Sequence, residues 1–139
     1  MRGTRMIKAE IIGVAPFFIV RNVPKSLSFY RDKLGFEVTF EGFEGDIFFG
    51  IVERGGAMLM FKDIGVDPLP NHTRDIGKGE ARWDAYFSVP DPDALAAEYT
   101  ENGVEFSEPL KDTLDGLRGF EVTDADGYVL FFGRPGPKT

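Results

Sequence analysis

The sequence predicts an α+β protein in which one β-α-β-β-β unit is used twice. Three observations carry this expectation. Two short helical segments each begin at an asparagine or aspartate with a proline close behind, and each stops at a glycine. Each is followed by aromatic and β-branched runs broken by glycine-rich turns. The landmarks recur at a near-constant spacing: Val20 aligns with Val89 at an offset of 69, and Gly35 with Gly103 at 68. A slip of a single residue across the whole unit marks an internal repeat.

Taken in order, "IIGVAPFFIV" predicts a strand from Ile11 to Val20. Asn22 is placed to cap a helix, with Pro24 in its first turn. Leu27, Tyr30 and Leu34 recur at helical spacing and should face a sheet. Gly35 stands where a left-handed stop residue belongs. "FEVTF", "IFFGIVE" and, after Gly55-Gly56, "AMLMF" read as three further strands. The second half repeats the order. "RWDAYFSV" is a strand ending at Val89, Asp91 is an N-cap, and Pro92 a first-turn residue. Leu95 and Tyr99 share a helix face that ends at Gly103. "GVEF" then matches "GFEV" at Gly35 to Val38, and "LRGFEVT", the turn "DADG" and "YVLFF" complete the unit. "GGAM" and "DADG" are hairpin turns, since neither precedes a helix with phosphate-loop spacing. The expected organisation is a first module over residues 9–62, a linker or lid over 63–81, rich in Gly, Pro and Asp, and a second module over 82–133.

Composition narrows the function. Apolar residues make up 42%, enough for a buried core. No apolar run reaches the roughly 18–20 residues that span a bilayer. The opening "MRGTRMIKAE" lacks an apolar signal core, so a cytoplasmic protein without a membrane partner is expected. With no cysteine there are no disulfides, thiolate metal sites or cysteine nucleophile. The net charge of −7 falls entirely on residues 70–139, which carry seven Lys/Arg against fourteen Asp/Glu. Such a surface repels nucleic acid and attracts cationic small molecules. The single histidine, His72, lies in the linker, where it is either an exposed loop residue or a lid contact. Nothing near it resembles a strained nucleophile turn, which argues against a serine–histidine–acid triad.

"FIVRNVPKSLSFYRDKLGFEV" resembles the first module of the vicinal oxygen chelate superfamily, which includes glyoxalase I, extradiol dioxygenases and bleomycin-resistance proteins. "YFSVPDPDALAAEYTENGVEF" and "FEVTDADGYVLFFG" resemble its second module. The "SLSFYRDKLGF" and "DPDALAAE" phrases are nearest to the bleomycin-resistance-like branch, and the resemblance covers about residues 9–133. It implies two curved mixed sheets that close a cup, with helices on the convex side. Strand alternation then turns Phe18, Val20, Phe87 and Val89 toward the helices. Ala15, Phe17 and Ile19 face the cup, opposite Asp84, Tyr86 and Ser88.

The resemblance also implies four strand positions for metal ligands in metal-dependent members. Here they are Ala15, Met60, Asp84 and Phe131. Alanine and phenylalanine offer no donor atom, and a thioether prefers soft metals. A catalytic site normally needs about three protein ligands. No metal, cofactor or catalytic residue is therefore assigned. The same positions become wall: Phe17, Ile19, Met60, Tyr86 and Phe131 should line the cup, with Trp83 at its mouth and Asp84 as its one charge. Arg82 or Arg118 would serve as Asp84's partner. The expected function is metal-free binding and sequestration of a flat aromatic compound, cationic or neutral, as in antibiotic-resistance proteins. The alternative is a lyase, isomerase or dioxygenase-like enzyme of the superfamily, with Asp84 or Glu121 as base or with Glu121 or Glu37 joining Asp84 at an atypical metal site. The facing of Glu121 is left open by the sequence. A homodimer, with modules exchanged between chains through the long linker, is implied by the resemblance.

Overall fold

The computed structural model describes residues 7–43, 45–74 and 83–136. The first module comprises β1 (Phe17–Ile19), α1 (Val23–Asp32), β2 (Glu37–Gly42), β3 (Phe49–Arg54) and β4 (Ala57–Lys62). A 3₁₀ turn, Asn71–Arg74, lies in the connection. The second module comprises β5 (Ala85–Ser88), α2 (Pro92–Glu101), β6 (Glu108–Asp112), β7 (Leu117–Thr123) and β8 (Val129–Pro135). Each module forms one sheet, ordered β1-β4-β3-β2 and β5-β8-β7-β6. The β1–β4 and β5–β8 pairs are parallel and the others antiparallel, so both sheets are mixed as expected. No helix among the described residues is long and apolar enough to cross a membrane.

The helix ends follow the predicted chemistry. The Asn22 side chain accepts from Lys25 N at 3.0 Å, and Asp91 accepts from Ala94 N at 3.0 Å. Each cap satisfies an N–H that the helix leaves without a partner, a contribution of about 1 kcal/mol. Gly35 and Gly103 adopt φ of 72° and 77°, the left-handed region that a Cβ disfavours.

Two elements differ from expectation. The first strand occupies Phe17–Ile19 rather than Ile11 to Val20. Pro16 has no N–H to donate; its carbonyl accepts from Met60 N at 3.0 Å, and residues 7–16 join no ladder. Ile11, Ile12 and Val14 are consequently exposed despite their β propensity. In the second module "GVEF" is not a strand; the ladder begins at Glu108–Asp112, "EPLKD". Its proline sits on the sheet edge, where a missing donor is tolerated. Phe106 instead stacks on Phe120, ring centroids 4.6 Å apart.

One continuous core joins the modules. Val20, Leu59, Phe61 and Val52 fill the first helix–sheet interface, and Leu130, Phe132, Phe120 and Val122 the second. The halves balance volume differently. Leu27 of α1 fills the space over Gly50, whose Cβ would lie 2.8 Å from the leucine. At the matching places stand Ala96 and Phe120, so the bulk has moved from helix to sheet.

Two buried tyrosines, Tyr30 and Tyr99, cross between modules. Tyr30 donates to Asp124 Oδ2 at 2.7 Å, and Tyr99 donates to the Leu34 carbonyl at 2.8 Å. Arg54 donates to both Glu98 oxygens, at 2.7 and 2.9 Å, and to Leu34 O at 2.9 Å. Tyr128 stacks on Phe18 at 4.2 Å and donates to Ile19 O at 2.6 Å. Buried hydroxyls without partners cost about 1–3 kcal/mol each, so these bonds fix how the modules dock.

Candidate functional site

Strand pairing writes out the surface of each sheet opposite its helix. In the first module Phe17, Met60, Ile51 and Phe40 form one cross-strand row. It is wholly apolar and partly open, with Phe17 51% and Phe40 43% exposed. Phe49 bridges its ends, 6.2 Å from Phe17 and 5.8 Å from Phe40. The matching row of the second module is Tyr86, Phe131, Glu121 and Glu108. Helix-facing and cup-facing assignments on β1 follow the predicted alternation, with Phe18 buried and Phe17 exposed.

The second row carries an aromatic wall. Trp83 stacks on Phe131 at 4.3 Å and 21°, and Tyr86 stacks on Phe131 at 5.5 Å and 24°. Trp83 and Tyr86 are 5.6 Å apart. Phe131 is 2% exposed, so it is the floor beneath the other two rings; Tyr86 remains 41% exposed. Gly119 and Gly133, paired across β7 and β8, make room for that floor. A Cβ at either would lie 2.6 or 2.5 Å from the Phe131 ring. Two cavities flank the wall. One, about 560 Å³, is bounded by Trp83, Phe131, Glu121, Lys111 and Leu114. The other, about 620 Å³, lies between the β3–β4 hairpin and β5 and is bounded by Met58, Tyr86, Leu95 and Tyr99. Both fall in the range of small-molecule pockets.

Glu121 faces the cup. It is 6% exposed, and its Oε2 accepts from Trp83 Nε1 at 3.0 Å. The alternation in "LRGFEVT" holds the signal for this: Phe120 and Val122 are core, so Leu117, Gly119 and Glu121 occupy the other face.

Both carboxylate oxygens of Asp84 accept from backbone amides. Its Oδ1 accepts from Asn71 N and its Oδ2 from Val129 N, both at 2.8 Å. These two hydrogen bonds pin the 3₁₀ turn to the start of β8. Arg118 cannot be the partner, because it lies on the helix side of β7. There it binds Asp93 at 2.8 Å and Asp112 at 3.2 Å, and Asp93 in turn is held below its usual carboxylate range by the guanidinium bond. Arg82 lies outside the described residues. His72 is exposed, with Nε2 2.9 Å from the Gly127 carbonyl of the β7–β8 turn.

The four positions that correspond to metal ligands do not suit a divalent ion. Ala15 and Phe131 carry no donor, Met60 carries only sulfur, and both Asp84 oxygens are already bound to amides. Among the described residues no group of three or more histidine, aspartate or glutamate side chains converges.

A family model described as the Glyoxalase/Bleomycin resistance protein/Dioxygenase superfamily matches residues 13–132. Among curated proteins nothing matches significantly. The bleomycin-binding protein of bleomycin-producing Streptomyces verticillus, solved with copper(II)-bleomycin, is 28% identical; the alignment covers 95% of this chain and 100% of that one, with a TM-score of 0.64. TioX from Micromonospora sp. ML1 is 20% identical over 88% of this chain and 98% of its own, TM-score 0.68. TnmS3, an antibiotic binding protein from Streptomyces sp. CB03234, is 20% identical over 92% of this chain and 100% of its own, TM-score 0.64. The last two likenesses are of fold. With most of its length matched and both mixed sheets in place, this chain belongs to the Glyoxalase/Bleomycin resistance protein/Dioxygenase superfamily.

Proposed function

We propose that this chain binds and sequesters a flat aromatic small molecule, cationic or neutral, without a metal and without transforming it. The observation that carries the reading is the stack of Trp83 and Tyr86 on Phe131, which stands at one of the four positions where metal-dependent relatives would need a donor atom. The exposed Tyr86 and the half-buried Trp83 offer a planar ligand stacking, and a cationic one cation–π attraction as well. The acidic second half adds long-range attraction for cations. The similarity to a bleomycin-binding protein supports a role of this class.

The same reading takes the working form to be a cytoplasmic homodimer, in which the open first-module row of one chain closes over a second-module wall. Exposed Phe17, Phe40 and Phe43 support pairing, since apolar rings on an open sheet face gain by being covered. Exchange of modules between the two chains through the linker belongs to this reading too. Light scattering that finds a monomer at micromolar concentration defeats the dimer.

Trp83 is the sole tryptophan, so its emission reports on the wall alone. Titration with planar aromatic cations such as ethidium, and with neutral planar analogues, should quench it with micromolar or tighter affinity. Calorimetry should agree. Absence of binding across a broad panel, or a stoichiometric divalent ion found by metal analysis of the purified protein, overturns the proposal.

A further inference from the structure

At the centre of the second cup row a carboxylate stands where the first module has Ile51. Burying a carboxylate is costly unless its oxygens are used. Glu121 is 6% exposed and borders the same cavity as Trp83 and Phe131, with Oε2 accepting the Trp83 indole N–H at 3.0 Å. Its neighbour on the row, Glu108, is bound by Lys111 Nζ at 2.7 Å.

Trp83 precedes β5 and belongs to no ladder, so regular structure does not orient it. Three contacts do. Asn71 Nδ2 donates to its carbonyl at 2.8 Å and fixes the backbone. The Phe131 ring, laid over the Gly119–Gly133 pair, supports one face of the indole. The Glu121 bond then sets the rotation of the indole in its plane. A stacking surface binds well when its orientation is already set before the ligand arrives, because less side-chain freedom is lost on binding.

We propose that Glu121 is the positioning residue of this wall: by accepting from Nε1 it holds Trp83 in the orientation that a stacked ligand meets. The inference rests on reading the wall as the ligand surface. The indole N–H lies in the ring plane, so the carboxylate meets the edge of the ring and sets its rotation, a task that any acceptor at this place performs.

Glu121→Gln keeps an acceptor and removes the charge; Glu121→Leu removes both. In the free protein, Glu121→Gln should keep the wild-type emission maximum, acrylamide quenching and near-ultraviolet dichroism of Trp83. Glu121→Leu should red-shift the emission, raise quenching severalfold and flatten the dichroism. Against neutral acridine, Glu121→Leu should weaken binding about tenfold, and Glu121→Gln should stay within about twofold of wild type. Wild-type spectra in Glu121→Leu overturn the proposal. So does a Glu121→Gln protein that loses acridine as far as Glu121→Leu does, since an acceptor alone would then not suffice. Should Glu121→Leu fail to fold, Trp83→Phe replaces it: a ring without the N–H donor should bind acridine more weakly, and unchanged binding overturns the idea. If wild type does not bind acridine, the ligand reading fails, while the spectra of the free variants still decide whether Glu121 holds the indole.

Discussion

Replacing Asp124 by asparagine should abolish a pH dependence built into the junction between modules. Asp124 opens the β7–β8 turn, is 8% exposed, and accepts from Asp126 N at 3.0 Å, Tyr128 N at 2.9 Å and Tyr30 OH at 2.7 Å. Burial lifts its carboxyl from the ordinary 3.8 to about 6, against the pull of those three hydrogen bonds. The folded protein therefore holds this proton more tightly than the unfolded chain. Its stabilising effect is complete below the unfolded value, and it is lost as pH rises through the folded one. The full span is about 3 kcal/mol, of which about 2 kcal/mol falls between about pH 4.5 and about pH 7.5. The asparagine side chain keeps an acceptor for both amides and has no proton to lose. In urea melts the stability of wild type minus that of Asp124→Asn should therefore fall by about 2 kcal/mol across that interval, a midpoint difference on the order of 1 M. Taking the difference cancels every other titrating group that the substitution leaves alone. A flat difference, or one that rises with pH, refutes the reasoning: the three donors would then outweigh burial and hold the carboxylate ionised.

Three other substitutions probe the docking and the floor. Arg54→Ala removes both bonds to Glu98 and one to Leu34 O; the pair is over a third exposed, so a loss of about 1 kcal/mol in chemical denaturation is expected, smaller at high salt. Tyr128→Phe keeps the stack on Phe18 but abandons the Ile19 carbonyl, costing about 1 kcal/mol with little change in near-ultraviolet dichroism. Gly133→Ala drives a Cβ to within 2.6 Å of the Arg118 carbonyl and 2.5 Å of the Phe131 ring, so thermal melting should show a loss of more than about 2 kcal/mol.

What the sequence made legible was local. Asn22, Asp91, Gly35 and Gly103 each work through a bond or a dihedral within a few residues, and each does what its chemistry foretold. The strands at "FFI" and "EPLKD" were harder, because a ladder needs a neighbour and the neighbour is remote in sequence. Apolar residues at Ile11, Ile12 and Val14 read as strand, but Pro16 interrupts the donors beside β4. Asp84 read as the charge of the cup, yet its amide partners lie 13 and 45 residues away and no local pattern announces them. Glu121 was undecided for the opposite reason. Its strand has one acidic and one basic residue on opposite faces, and only the depth of Phe120 in the core fixes which side is which.

The internal repeat explains why fold is easier to read here than function. On the helix side, both halves must fill the same volume between one helix and four strands. Their differences there compensate, as Leu27 over Gly50 does for Ala96 under Phe120. The two tyrosines, Tyr30 and Tyr99, occupy equivalent places, and each reaches into the other half. On the cup side no such constraint operates, because an open face need not be filled. There Phe17, Met60, Ile51 and Phe40 stand opposite in kind to Tyr86, Phe131, Glu121 and Glu108. A duplicated unit keeps what its core demands and is free to diverge where the sheet opens. The divergence runs in a definite chemical direction: one half is plain apolar surface, while the other spends a buried carboxylate and two glycines on the placement of aromatic rings. Core packing alone does not require that arrangement, since an isoleucine suffices at the same place in the first half. The proposed binding role accounts for it, since a stacked ligand needs rings whose orientation is set in advance.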